Sequence, residues 1–108
     1  MAHFLAQVGY SPEGWQALVK SPQNRIEAVR PAIEKLGGKI ETGYFAFGEY
    51  DLVLVFQMPD NVNAAAIAMA FAAGGACRTV KTTPLLTTAE AVEAMKKAST
   101  AGYRAATA

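Results

Sequence analysis

Gly48-Glu49-Tyr50-Asp51 interrupts the run YFAFGEYDLVLVFQ, residues 44 to 57, which is otherwise a string of aromatic and branched apolar side chains. An acid and a phenol at a hairpin tip can bind a polar ligand, or act as general base and proton relay. The same four residues also suit a plain turn: Gly eases the backbone, Asp accepts backbone N–H groups and Tyr packs. His3 is the sole imidazole of the chain, and a lone histidine serves proton transfer, axial haem ligation or an ordinary surface position. His3, Tyr50 and Asp51 are therefore the acid–base candidates.

Ligand contacts are expected from Gln7, Tyr44, Phe47, Glu49, Tyr50 and Arg78. Alternation along the first strand puts His3, Leu5, Gln7 and Gly9 on one face and Phe4, Ala6, Val8 and Tyr10 on the other. If His3 and Gln7 face a cavity, they are polar groups in apolar surroundings. Arg78 and Lys81 are three residues apart in a strand, so alternation sends them to opposite faces. A buried cation there needs Glu41, Glu49, Asp51 or an anionic ligand as partner. Tyr10, Trp15, Tyr44, Phe45, Phe47 and Phe71 line either a pocket for an aromatic ligand or the core and an interface.

Other chemistries lack their residues. There is no Gly-rich phosphate loop, no His/acid spacing for a metal, and no Ser-His-Asp arrangement that does not use His3. Cys77 is the one cysteine, so no intrachain disulfide and no cysteine zinc site is expected. A Cys77–His3 dyad requires a spatial adjacency that spacing alone does not supply. No metal and no cofactor is expected.

The 108 residues are enough for one domain. Hydrophobic residues make up 52% and charged residues 18%, with a net charge of +1. Basic residues form no cluster, which argues against a nucleic-acid partner. The apolar surplus instead favours a second protein surface. The N-terminus has no basic region followed by an uninterrupted apolar segment. The longest apolar stretch, 64 to 73, falls well short of the ~20 residues a spanning helix needs, so a cytoplasmic protein without membrane contact is expected.

The elements that must position these groups follow from periodicity. Residues 3 to 10 predict a strand, ended by Ser11 as helix cap and Pro12 at the first helical position. Trp15, Leu18 and Val19 fall at helical spacing, and Ser21-Pro22 repeats the start signal. Ile26, Val29, Ile33 and Leu36 predict a helix stopped by Gly37-Gly38, bent at Pro31. Strands follow over 39 to 47 and 51 to 58, with Gly48 available for a positive φ between them. Asp60 or Asn61 caps an alanine-rich helix whose larger contacts are Val62, Ile67, Met69 and Phe71. The stretch from Cys77 to Leu86 predicts a fourth strand, with Pro84 marking its end or an edge position. A last helix opens at Thr88 with no capping box, and residues 99 to 108 form a frayed tail beyond a domain of residues 1 to 98.

The order is βαββαβ plus a helix: an α+β, ferredoxin-like antiparallel sheet with its helices on one face. In the strand at 51 to 58 both alternate sets are apolar, so the face without helices must also be covered. A homodimer or higher homo-oligomer, closing as a dimeric α+β barrel, is the expected solution.

The hexapeptide GEYDLV at 48 to 53 carries more than a turn. It is preceded by LGGKIETGYFAFG, followed by MPD and the alanine-rich helix, and accompanied by Gly14-Trp15 and RTVKTTPLLT at 78 to 87. Over residues 3 to 95 the chain thus resembles the GYD-domain family, whose Gly-x-Tyr-Asp signature reads here as Gly48, Tyr50 and Asp51. The resemblance implies a small dimeric α+β barrel, similar to ligand-binding modules of leucine-responsive regulators and to cofactor-free or haem-using monooxygenases. It brings no catalytic residues with it, because the family has no settled reaction. Pro31 and the alanine-rich tail depart from the pattern. The leading expectation is a dimeric small-molecule-binding protein with an apolar and aromatic pocket for a small apolar or aromatic ligand. The alternatives are a cofactor-independent enzyme of the same fold, performing proton transfer or oxygenation, and a structural dimer that modulates another protein.

Overall fold

Alternation of buried and half-buried residues along the strands organises the molecule, a computed structural model of which describes residues 1–107. The elements are β1 (Ala2–Tyr10), α1 (Pro12–Lys20), α2 (Arg25–Lys35), β2 (Lys39–Phe45), β3 (Leu52–Met58), α3 (Asn61–Ala73), β4 (Cys77–Leu85) and α4 (Thr88–Ala98). The strands form one antiparallel sheet in the order β2-β3-β1-β4. This is the ferredoxin-like α+β arrangement with an additional C-terminal helix.

One sheet face carries the core. Phe4, Ala6 and Val8 of β1 and Leu54, Phe56 and Met58 of β3 are buried, with Val29 and Ile33 of α2 and Ala64 and Ile67 of α3 above them. Each large apolar side chain withdrawn from water here contributes about 1.5–3 kcal/mol. Phe4 and Phe56 stack at a ring-centroid distance of 5.8 Å. The opposite face, with Leu5, Gln7, Val53 and Val55, is covered by no helix of the chain and stays half-exposed.

Start signals hold where a side chain can reach the first free amides. Ser11 accepts from the Gly14 amide at 3.0 Å and Pro12 opens α1, because a proline at that position sacrifices no hydrogen bond. The second start differs from expectation: Asn24 rather than Ser21 caps α2, accepting from the Ile26 and Glu27 amides. α2 runs unbroken through Pro31. Pro31 takes away the amide that would bond the Glu27 carbonyl, and a bidentate Arg30–Glu27 pair braces the same turn at 2.9 and 3.1 Å.

Four further expectations are corrected. β2 stops at Phe45 and β3 starts at Leu52, because the Ala46 amide bonds the Asp51 carbonyl and closes a broader loop. Gly48 in that loop has no positive φ; Gly37, Gly75 and Gly102 do. In α3, Val62 and Met69 are exposed, and the buried contacts are Ala64 and Ile67. α4 does have a capping box, one residue earlier than expected: Thr87 accepts from the Glu90 amide while the Glu90 carboxylate accepts from the Thr87 amide.

α4 stands apart from the rest. None of its side chains is buried, and only Ala91 is half-buried. The radius of gyration is 17.1 Å, against about 13 Å for a compact chain of this length. The long axis of 57 Å exceeds the next by far, at 33 Å.

Candidate functional site

Asp51 is the one buried charged or polar side chain among the described residues, at 8% exposure. Its Oδ2 accepts from the Tyr10 amide at 2.9 Å and from the Trp15 indole Nε1 at 3.2 Å. Its amide donates to the Val8 carbonyl at 2.8 Å. The carboxylate therefore ties the loop between β2 and β3 to the end of β1 and to α1. Trp15 is thereby held edge-on to Tyr10, with centroids 5.5 Å apart and planes at 79°.

Behind that aromatic pair lies a cleft of about 200 Å³, lined by Tyr10, Gly14, Leu18, Gln23, Arg25 and Ala76 among others. α1 approaches closely here because Gly14 has no side chain; a Cβ at that position would overlap the Ala76 carbonyl oxygen. That carbonyl is itself engaged, accepting from the Ser11 amide at 2.8 Å. Arg25, the first residue of α2, is half-buried, and its Nη1 donates to the Gln23 side chain at 2.9 Å. No carboxylate pairs with Arg25 among the described residues.

Burial raises the pKa of the Tyr10 phenol, and the adjacent Arg25 charge opposes the shift without cancelling it. Burial likewise raises the Cys77 thiol, again against Arg25. Both groups are neutral at pH 7. The cleft thus joins one fixed positive charge to a phenol donor and an apolar wall.

The residues singled out from sequence divide into separate regions. Arg78 donates from Nη2 to the Glu49 carbonyl at 2.6 Å and lies 4.0 Å from Asp51 Oδ2. Its guanidinium lies over Gly9, within 2.9 Å of where a Cβ would be. A bulge opposite Gly9 and Tyr10 adds a residue to β4, and Lys81 pairs with Gln7. Arg78 and Lys81 consequently lie on the same open face, not on opposite faces, because the bulge breaks the alternation.

Within the signature, Glu49 offers its carbonyl and leaves its carboxylate exposed, while Tyr50 is half-buried. Phe47 is fully exposed and Tyr44 largely so. His3 sits at the other end of the sheet, 2.8 Å from Glu41 Oε1, which also accepts from Gln57 Nε2 at 2.7 Å. His3 pairs with Gln57, and six residues of strand separate Gln57 from Asp51, roughly 20 Å. Within one chain, His3 is not brought together with Tyr50 and Asp51.

Arg25 and Gln23 escaped the sequence reading because charged residues between apolar helix positions read as a solvated face. Their signal was the cap: with Asn24 starting α2, Arg25 occupies the first turn, where long side chains lean back toward the N-terminal end.

A four-stranded antiparallel sheet with α-helices on one face, and a carboxylate locking a Gly-x-Tyr-Asp loop onto β1, defines a ferredoxin-like α+β domain. The GYD domain profile matches residues 4–95, and the chain belongs to the GYD-domain family. No curated protein and no solved structure matches it. Among the described residues, no cluster of three or more His, Cys, Asp or Glu could hold a metal ion, and no helix is long and apolar enough to cross a membrane.

Proposed function

We propose that this chain is a homodimeric binding protein for a small, largely apolar molecule bearing an anionic group. The anion meets Arg25, and the apolar body lies against Tyr10, Leu18 and Ala76. The observation that carries this reading is Arg25, a half-buried residue at the cleft whose side chain meets only neutral groups, the Gln23 amide and the Tyr10 phenol. A partly covered cation lacking a carboxylate gains a charge-assisted contact from an incoming anion. A cleft of about 200 Å³ lies below the size range of drug-binding pockets, which restricts the ligand to a small carboxylate or similar anion.

Binding is favoured over acid–base catalysis by the same geometry. Asp51 Oδ2 is committed to two donors, and burial keeps the Tyr10 and Cys77 groups protonated. The dimer is supported by the half-exposed Leu5, Val53 and Val55 of the open sheet face, which a second copy of the same face can cover. A free Cys77 is suited to a reducing cytoplasm.

The test uses benzoate and hexanoate as probes, followed by thermal shift and calorimetric titration. Saturable binding of either to wild-type protein, weakened at least about tenfold in Arg25→Gln, is expected for a charge-assisted contact. Binding unaffected by Arg25→Gln, or no binding of any small carboxylate together with no retained ligand in native mass spectrometry, would overturn it.

A further inference from the structure

Two apolar stripes remain unpartnered after the sheet and its helices have packed. One lies on α3, which contains no charged residue (NVNAAAIAMAFAA). A helix that is apolar on every side belongs in an interior. Yet Val62, Ala65, Met69 and Ala72, at spacings of three and four, face outward, with Met69 68% exposed.

The second stripe is on α4. At 100° per residue, Ala91, Val92, Met95 and Ala98 fall on one side, and Glu90, Glu93, Lys96 and Lys97 on the other. The charged side is self-sufficient, with Lys97 and Glu93 paired at 3.5 Å. The apolar side is covered only at Ala91, and Met95 is 66% exposed. An isolated helix of 11 residues is marginal in water without a packing surface. Nevertheless α4 has a complete capping box, and the family match extends through Met95.

We propose that α4 is an exchanged arm, whose Val92–Met95 face packs on the Val62–Met69 face of α3 in a second copy of this chain. The inference rests on the dimer reading and adds to it what holds the two copies together. Only Leu86 and Thr87 separate β4 from α4, and Thr87 is locked as the cap, so little chain is available for the helix to turn back and bury its apolar side.

Area points the same way. Four strands spaced about 4.8 Å apart and about seven residues long present a face of roughly 450 Å². Side-chain relief enlarges this, but stable interfaces bury about 800 Å² per partner. A helix roughly 16 Å long, given by each copy and received by each, supplies much of the difference. The two stripes match in kind: α3 offers small residues around one methionine, and α4 offers Val92 and Met95 to fill them. The α3 helix carries no charge, which suits an apolar face.

The experiment mixes two full-length chains, both carrying Cys77→Ser, one with Met69→Cys and the other with Met95→Cys. Both sites are exposed, so folding is not at issue. After co-refolding and mild oxidation, a disulfide-linked dimer is expected in the mixture and not in either chain alone. Sedimentation of full-length Val92→Glu/Met95→Glu should show a dimer dissociation constant raised at least about tenfold. If wild-type protein sediments as a dimer but neither the cross-link nor the weakening occurs, the arm is wrong and the dimer stands. If wild-type protein sediments as a monomer at micromolar concentration, both fall.

Discussion

The Trp15 indole donates to Asp51 Oδ2 at 3.2 Å across 36 residues of sequence. The same oxygen takes the Tyr10 amide, so one carboxylate fixes the aromatic wall of the cleft. Asp51→Ala leaves a buried amide and an indole N–H without their acceptor, a loss of about 1–3 kcal/mol. Urea denaturation should report that loss, and Trp15 fluorescence should shift as the indole is released. Asp51→Asn keeps an acceptor and should retain most of the stability. Equal stability of the alanine variant and the wild type would remove Asp51 from its structural role.

Gly14 and Gly48 make opposite forecasts for the same substitution. Gly14→Ala drives a methyl into the Ala76 carbonyl, a backbone atom that cannot yield cheaply, whereas a methyl at Gly48 meets nothing within 4 Å. Gly14→Ala should therefore cost about 1–3 kcal/mol and reduce the cleft, while Gly48→Ala should be near neutral. Thermal melts of the two variants decide it; a neutral Gly14→Ala would mean that α1 does not approach β4 as closely as described.

Cys77 should react slowly. Burial raises its pKa above the ordinary thiol value, and the thiolate is the reactive form. Iodoacetamide labelling at pH 8 should be slower than that of free cysteine, and its rate should rise only at higher pH. Faster labelling than free cysteine at pH 8 would mean that the Arg25 charge outweighs burial, and would reopen a nucleophilic role.

The start of α4 should be acid-sensitive. Backbone and side-chain hydrogen bonds with Thr87 lower the Glu90 pKa below 4.5. A carboxylate depressed in the folded state stabilises above its unfolded pKa and loses that contribution as pH falls through the folded value. Far-ultraviolet ellipticity should thus decline below about pH 4.5 in wild-type protein. Glu90→Gln keeps an acceptor for the Thr87 amide but cannot titrate, so it should remove this sensitivity. Identical acid profiles for the two proteins would exclude the box as the cause.

The parts of this fold that depend on neighbours in sequence could be read from it. Alternation in β1 and β3 and the three-four spacing of Ile26, Val29 and Ile33 set the layers, and GEYDLV located the loop. What could not be read depends on contacts distant in sequence. The bulge that puts Arg78 on the face of Lys81 lies opposite Gly9 and Tyr10, residues of a strand far earlier in the chain. The separation of His3 from Asp51 follows from antiparallel pairing, which sets the two ends of β3 far apart. The Asn24 cap lies three residues after the expected Ser21 and the Thr87 cap one residue before the expected Thr88, since several nearby polar residues compete for the same free amides. The cleft around Arg25 was hidden because its cation looked like part of a wetted helix surface.

Pro84 pairs with Phe4 on β4, the outermost strand beside β1. A proline is tolerated in a ladder only where its nitrogen points away from the neighbouring strand. The outer rail of the sheet therefore has a missing hydrogen-bond donor, and an extended foreign peptide cannot zip along it without a break. For a chain so rich in apolar residues, that gap works against fibrous growth along this edge.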